Sequence, residues 1–248
     1  MSIRCWWVMA TVVAAVPAAG ASEPTRLRVL TELESTSVAK NRMEAFLARN
    51  GCVAELVFEP GAPSHLSFHP DQGRGELFLR ALSQVGTAPV PVWVTRATAG
   101  VRGLAELQGR DVSVVAGADP VGGELALEAL AQQGVRPSRG QRYEAADYSS
   151  ALGLLLHNNT HAAVSELAFV QPLMATQGLV ITWQGATVEG AGWYAGTQEF
   201  DPEGAVAPCL TALAKLKRQD DRQIFQIFPE WVHQFSAPES RQHKESSQ

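Results

Sequence analysis

The chain has 248 residues and a net charge of −5 at neutral pH, and its lysines and arginines form no cluster. Neutralising phosphates requires a concentrated basic face, so nucleic acid is excluded as a partner. The length leaves room for one large domain or for two lobes of about a hundred residues each, either able to bury a core.

At the start, Arg4 precedes an apolar run over 5–16, followed by Pro17, Ala18, Ala19, Gly20 and Ala21. This is the pattern of a secretory signal peptide, with cleavage expected after Ala21. About a dozen apolar residues are too few to cross a ~30 Å hydrocarbon core. Ile3 and Arg4 before Cys5 do not make a lipoprotein site, so the expected mature chain begins near Ser22, in the periplasm, with no membrane anchor. Only Cys52 and Cys209 survive cleavage. In an oxidising compartment they either pair or stay as two separately buried small hydrophobes.

Beyond the leader, short Val- and Leu-rich runs, turns and stretches of helical period alternate, the mark of βαβ units. The expected order is strand 27–30, helix 36–49 ended by Asn50-Gly51, and strand 53–58. Residues 59–75, rich in Pro, Gly and His, read as loop, and 77–79 as strand. Residues 89–94 read as an extended segment whose prolines suit a crossing or an edge rather than a fully paired central strand. A helical turn at 104–107, strand 112–115 and helix 121–133 follow. After them come helix 149–157, strand 162–164, helix 169–176, strand 179–182, an extended segment 192–195 and helices 205–217 and 224–235. The polar tail, 238–248, reads as disordered.

Leu104-Ala105-Glu106-Leu107-Gln108-Gly109 and the strand after it resemble the opening of the second lobe of type II periplasmic solute-binding proteins. As in that family, a Gly-rich turn follows, then a helix ending Leu130 to Gly134 and the strand Ala162-Ala163-Val164-Ser165-Glu166. The stretch from Leu179 through Trp193 to Asp201-Pro202 is similar to the return crossing of the phosphate/phosphonate, PhnD-like branch. The resemblance implies an α/β, two-lobed fold, each lobe a mostly parallel sheet flanked by helices. Lobe 1 would comprise 22–92 plus 194–237 and lobe 2 93–193. It implies a small polar or anionic ligand held between the lobes, hinge closure around it, a monomer, and an ABC-type permease or a sensor as partner.

Helix starts at the carboxyl ends of strands present unpaired N–H groups, and these define the expected site. In the first lobe Thr31, Ser35 and Thr36, with Ser37, offer hydroxyls that serve either an anion or ordinary capping. In the second, Asp119, Gly122 and Gly123 stand where phosphonate-binding relatives carry a Ser/Thr-rich turn, so an acid replaces hydroxyls. Tyr148, Ser149, Ser165 and Glu166 complete the expected lining. Convergence of Glu32, Glu34 and Glu166 would favour an amine or cation, and Arg80 and Arg96 are the cationic candidates for an anion. Trp93, Trp193 and Tyr194 either stack on a ligand or pack in the core.

His65 and His69, and His157 and His161, are spaced four apart, which on a helix would place each pair on one face, as in zinc or copper sites. Neither pair lies in a secure helix, and surface or capping roles are the alternative. There is no nucleophile elbow, Walker-type loop or zinc-protease motif, so binding without a cofactor is expected. A catalytic member of the same fold and a metal-handling protein are the rival readings.

Overall fold

The computed structural model describes residues 23–31, 36–117, 119–199 and 201–238. The expected signal peptide at 1–21 and the tail from 239 onward lie outside the described residues. The described residues begin with β1 (Thr25–Arg28), α1 (Ser37–Arg49) and β2 (Ala54–Val57), β1 pairing parallel to β2. Ala39, Met43 and Leu47 form the buried stripe of α1, one face of a helix at 3.6 residues per turn.

Where a loop is expected, β3 (Leu66–His69) forms and pairs parallel to β1. Pro63 and Pro70 bracket this strand without entering it, and Leu66, Ser67 and Phe68 are buried. The flanking prolines and histidines therefore disguise a central strand. Next comes β4 (Leu77–Leu82), and the chain then crosses to a second sheet through 83–90.

The second sheet opens with β5 (Pro91–Arg96). Contrary to the expectation for a Pro-containing segment, β5 is paired on both sides. Pro89 lies before the strand and Pro91 is its first residue, where a missing N–H breaks no ladder, and the Pro91 carbonyl still accepts from Gly185 N at 2.9 Å. Then follow β6 (Val112–Val115), α2 (Glu124–Gln132), β7 (Arg142–Ala145), α3 (Tyr148–Leu156) and β8 (Ala162–Glu166). α2 starts three residues later than expected because 119–122 is a turn, closed by Gly122 N donating to Asp119 O at 3.1 Å. β7 has no counterpart in the sequence reading: it is an edge strand, three of its four residues are exposed, and its polar sequence carries no hydrophobic alternation. The single helix expected at 169–176 is split into α4 (Leu167–Val170) and α5 (Met174–Gln177) around Pro172.

After β9 (Leu179–Gln184) the chain returns through 185–191 to the first sheet as β10 (Gly192–Ala195), followed by α6 (Ala207–Lys215) and β11 (Gln234–Ser236). The helix expected at 224–235 shrinks to one 3-10 turn, Ile224–Ile227. Pro229 removes a donor, Trp231 and Val232 turn inward on an irregular segment, and Phe235 turns inward from β11.

The two sheets run β11-β4-β10-β3-β1-β2 and β7-β6-β8-β5-β9. Each has a parallel core, β2-β1-β3 or β7-β6-β8, and in each the strand that follows a crossing is inserted antiparallel. The two crossings touch: Val188 N donates to Pro89 O at 2.9 Å. Gly192 is required where β10 meets β4, because a Cβ there would lie 2.0 Å from Leu79 O.

Each lobe buries its own core. In the first, Phe68 meets Trp193 and Phe228 edge-on at 5.7 and 4.9 Å between ring centroids, with Leu27, Met43 and Leu47 beneath. In the second, Trp93 packs with Leu107, Val112, Leu130 and Val164, and its Nε1 donates to Ala126 O at 2.8 Å. No helix among the described residues is long and apolar enough to cross a membrane.

Cys52, beside β2, is bonded to Cys209 in α6 across a sequence separation of 157. A bond closing so long a loop restricts the unfolded chain strongly. Replacing both cysteines by alanine is expected to lower the free energy of unfolding by about 2–4 kcal/mol, read from the urea midpoint at constant slope.

Candidate functional site between the lobes

The carboxyl end of β6 leads into Asp119, whose carboxylate gathers donors from both lobes. Its Oδ1 accepts from Val121 N at 3.1 Å and from Trp231 Nε1 at 3.2 Å, and its Oδ2 accepts from the Tyr148 hydroxyl at 2.7 Å. Val121 and Tyr148 belong to the second lobe, Trp231 to the first. Gly122 lets this turn fold tightly, since a Cβ would come 2.9 Å from Val115 Cβ and 3.2 Å from Asp119 Oδ2. Enclosure of the carboxyl raises the Asp119 pKa to about 6, because burial penalises the charged form more than its four hydrogen bonds favour it.

A second contact lies alongside. Glu230, next to Trp231, presents its carboxylate to the first turn of α3: Oε2 accepts from Tyr148 N at 2.6 Å and Oε1 from Ser149 Oγ at 3.2 Å. Asp147, the residue before the helix, accepts from Ser150 N at 2.7 Å. The leading turn of α3 is thus satisfied by two carboxylates, one from each lobe, as the partial positive charge of a helix N-terminus favours. Burial raises the Glu230 pKa above its usual range, and the neighbouring Asp147 charge adds to the rise. The Tyr148 side chain is fully buried and joins the first lobe's core together with Val121, and its ring lies 5.6 Å from that of Phe169.

The remaining expected site residues are dispersed. Ser165 is wholly buried within β8. Glu166 is also buried; its Oε2 accepts from Phe169 N at 2.9 Å and its Oε1 from Val90 N at 3.3 Å, so it caps α4 and holds the outgoing crossing. Burial raises its pKa. Gly123 lines, with Asp119, Glu124 and Arg142, a hollow of about 400 Å³ on the second lobe. Thr36 precedes α1 without making a side-chain cap, Thr31 is half-buried, and Glu32, Glu34 and Ser35 lie outside the described residues. Arg80 pairs with Glu189 at 3.3 Å. Arg96 donates to Leu156 O and Asn158 Oδ1, serving the carboxyl end of α3. Trp93 and Trp193 are buried in the cores, whereas Tyr194 lines the groove beside the crossings and its hydroxyl donates to Gly190 O.

The histidines are not brought together. His65 immediately precedes β3, and its Nδ1 accepts from Arg26 N at 2.9 Å; His69 ends the same strand against Tyr194. A strand rises about 3.3 Å per residue, so four residues along it separate two side chains too widely for one metal ion. His157 caps the end of α3, and His161 follows the turn at Asn158. Among the described residues no three His, Cys, Asp or Glu side chains are arranged to hold a metal.

A groove of about 910 Å³ runs beside the crossings, lined by Pro91, Pro120, Leu125, Glu128, Trp183 and Tyr194. Glu230 and Trp231 were not among the expected site residues, because both fall inside the stretch 224–235 read as helix. Pro229 is the one local signal that the stretch is interrupted there.

Two sheets, each holding a parallel core and a reversed strand delivered by a crossing, decide the architecture. The fold is that of the type II periplasmic binding proteins. The binding component of an ABC phosphonate transporter from Pseudomonas aeruginosa superposes with a TM-score of 0.55 at 11% identity, over 88% of this chain and 82% of that one. PhnD1 from Prochlorococcus marinus, solved with methylphosphonate, gives 0.54 at 13% identity over 90% and 95%. A Xanthomonas citri protein bound to ATP gives 0.57 at 13% identity over 91% and 95%. No family model matches the chain, and no curated protein does.

The Asp119 environment sets a pH dependence. An aspartate near pKa 3.9 when unfolded and about 6 when folded binds more protons in the folded state between those values, so its contribution to stability is full below about pH 4 and is lost as pH rises through 6. Asp119→Asn removes the charge and keeps the shape. The variant is expected to gain on the parent by about 1–3 kcal/mol between pH 4 and pH 7, measured by urea unfolding across that range. A constant difference would show that the carboxyl is not desolvated.

Proposed function

We propose that this chain is an exported solute-binding protein that captures a small polar or anionic ligand between its two lobes and presents it to an ABC-type transporter or to a sensor. The observation that carries the reading is the double crossing: among the described residues β5 and β10 are the strands inserted antiparallel next to the parallel cores, and the segments feeding them lie side by side. A two-segment connection of this kind permits one lobe to swing on the other about a few residues, with Val121 and Tyr148 leaving the first lobe's core as the cleft opens. Support for the placement comes from the turn at Asp119 and the start of α3, which bring the carboxyl ends of second-lobe strands against the first lobe.

The neighbouring structures favour binding over catalysis, since those compared above are binding components or ligand complexes. Export is part of the same proposal and rests on the leader-like pattern at 1–21. The boundaries that accompany it place 22–92 and 194–237 in one lobe and 93–193 in the other, with a monomer as the working unit.

The test is a melting-temperature screen of the mature chain against phosphonates, sulfonates, carboxylates and amines. A true ligand at a hundred times its Kd adds about 2.7 kcal/mol of stability, several degrees for a protein of this size, and is recovered unchanged. Chemical conversion of the stabilising compound would move the reading to an enzyme on this fold.

A further inference from the structure

Where the lobes meet, Asp119, Tyr148, Glu230 and Trp231 take up the space between them. The open space lies elsewhere. None of those four side chains lines the groove of about 910 Å³ beside the crossings. That volume falls within the range of small-molecule pockets, roughly 300–1,000 Å³ with mostly apolar walls and a few polar groups. Three parts of the chain build it. The turn after β3 supplies Asp71 and Gln72 from the first lobe, α2 supplies Glu124, Leu125 and Glu128 from the second, and the return crossing joins them. The crossing packs closely because it is glycine at two points: a Cβ on Gly185 would come 2.7 Å from the Trp183 ring and 2.8 Å from Pro91, and one on Gly190 would come 2.7 Å from Asp71 O. Leu125 faces the groove, while Ala126, Ala129 and Leu130 of the same helix are buried in the second lobe's core. With Pro91, Pro120 and Trp183 it gives the groove its apolar surface.

The charge on these walls has one sign. Every charged lining residue is an acid: Asp71, Glu124, Glu128 and Glu189. Glu189 is paired with Arg80 at 3.3 Å, whereas among the described residues Asp71, Glu124 and Glu128 form no ion pair. Glu124 and Glu128 stand four apart on α2, a spacing at which like charges destabilise a helix. Glu124 is favoured by the first turn of the helix, but Glu128 lies one turn further on and gains nothing there.

We propose that this groove is a binding site for a small organic cation with an apolar body: carboxylates of both lobes hold the charged group, and Leu125, Trp183 and the two prolines cover the rest. The complement is one of sign and of surface together. An anion meets four carboxylates and no lining cation, and a bare inorganic cation leaves the apolar walls in water. Because Asp71 belongs to one lobe and Glu128 to the other, an occupant held by both bridges the lobes beside the crossings. The site is separate from the contact at Asp119 and Glu230, and it does not depend on a solute being carried between the lobes.

The experiment is calorimetric titration of the mature chain with phenethylamine near neutral pH and at low ionic strength. Phenylacetate, of opposite charge, and ethylamine, which lacks the ring, are the comparison compounds. Phenethylamine is expected to bind with a Kd of about 1 mM or tighter, and each comparison compound about tenfold or more weakly. Asp71→Asn and Glu128→Gln, one change on each lobe, are each expected to weaken phenethylamine by about three- to fivefold, the scale of a solvent-exposed ion pair, and added salt weakens it in the wild type. Both side chains are exposed, circular dichroism verifies folding, and Glu124→Gln replaces Glu128→Gln if that variant does not fold. No binding of phenethylamine by the folded wild-type chain, equal binding of phenylacetate, or an affinity unchanged in both variants overturns the site. A loss confined to one variant overturns the bridge between lobes. The solute-binding reading is separated from this one by the double variant, Asp71→Asn with Glu128→Gln: a compound from the melting screen that stabilises it as fully as the wild type is held in the cleft and not in this groove. Where the screen finds no anionic or neutral ligand, the phenethylamine titration still decides the groove by itself.

Discussion

Crossing twice between two sheets is the constraint from which the other features follow. A chain that leaves the first sheet after β4 and comes back as β10 enters each sheet running against its parallel core, so β5 and β10 must both be antiparallel to their inner neighbours. The two crossings then lie together, joined by the hydrogen bond from Val188 to Pro89, and the remaining interface is left to side chains. That is why so few residues, Asp119, Tyr148, Glu230 and Trp231 chief among them, govern how the lobes meet.

Those residues also show how a buried acid is tolerated. Asp119 receives two side-chain donors and two backbone amides, and Glu230 receives amides and a hydroxyl from one helix turn. Each is hydrogen-bonded well enough to remain in place and buried enough to resist ionisation. The interface joins these polar groups, each with a definite partner, to an apolar contact in which Val121 and Tyr148 pack into the first lobe's core. Such contacts are directional, and neighbouring hydrogen bonds strengthen one another in a low-dielectric interior.

Much of the architecture is legible from local pattern. The run from Leu104 to Gly134 contains a stop at Gly109, a Val-rich strand and a helix ending in glycine, and it folds as β6 and α2. The parts that hide do so for identifiable reasons. β3 is hidden by its flanking prolines and β7 by its polar edge, and β11 is absorbed into an apparent helical period that Pro229 breaks. The site is less legible than the fold. Asp119, Tyr148 and Ser149 are recognisable as residues at helix starts, yet their partners sit 112, 82 and 81 residues away, and no local period records a contact at that range. Glu166 carries the right chemistry for a ligand contact and is used as a cap instead, because Phe169 N lies three residues on in the first turn of α4.

The bond between Cys52 and Cys209 has a consequence for the order of assembly. Both sulfurs belong to the first lobe, yet the whole second lobe lies between them in the chain. During synthesis the segment from β5 to β9 is complete, with every strand of its sheet, before β10 and α6 exist. The later lobe in sequence is therefore the first to have its whole sheet available, and domains fold as units. The earlier lobe needs β10 between β3 and β4 to complete its sheet, so its covalent closure comes only after the whole second lobe has been made.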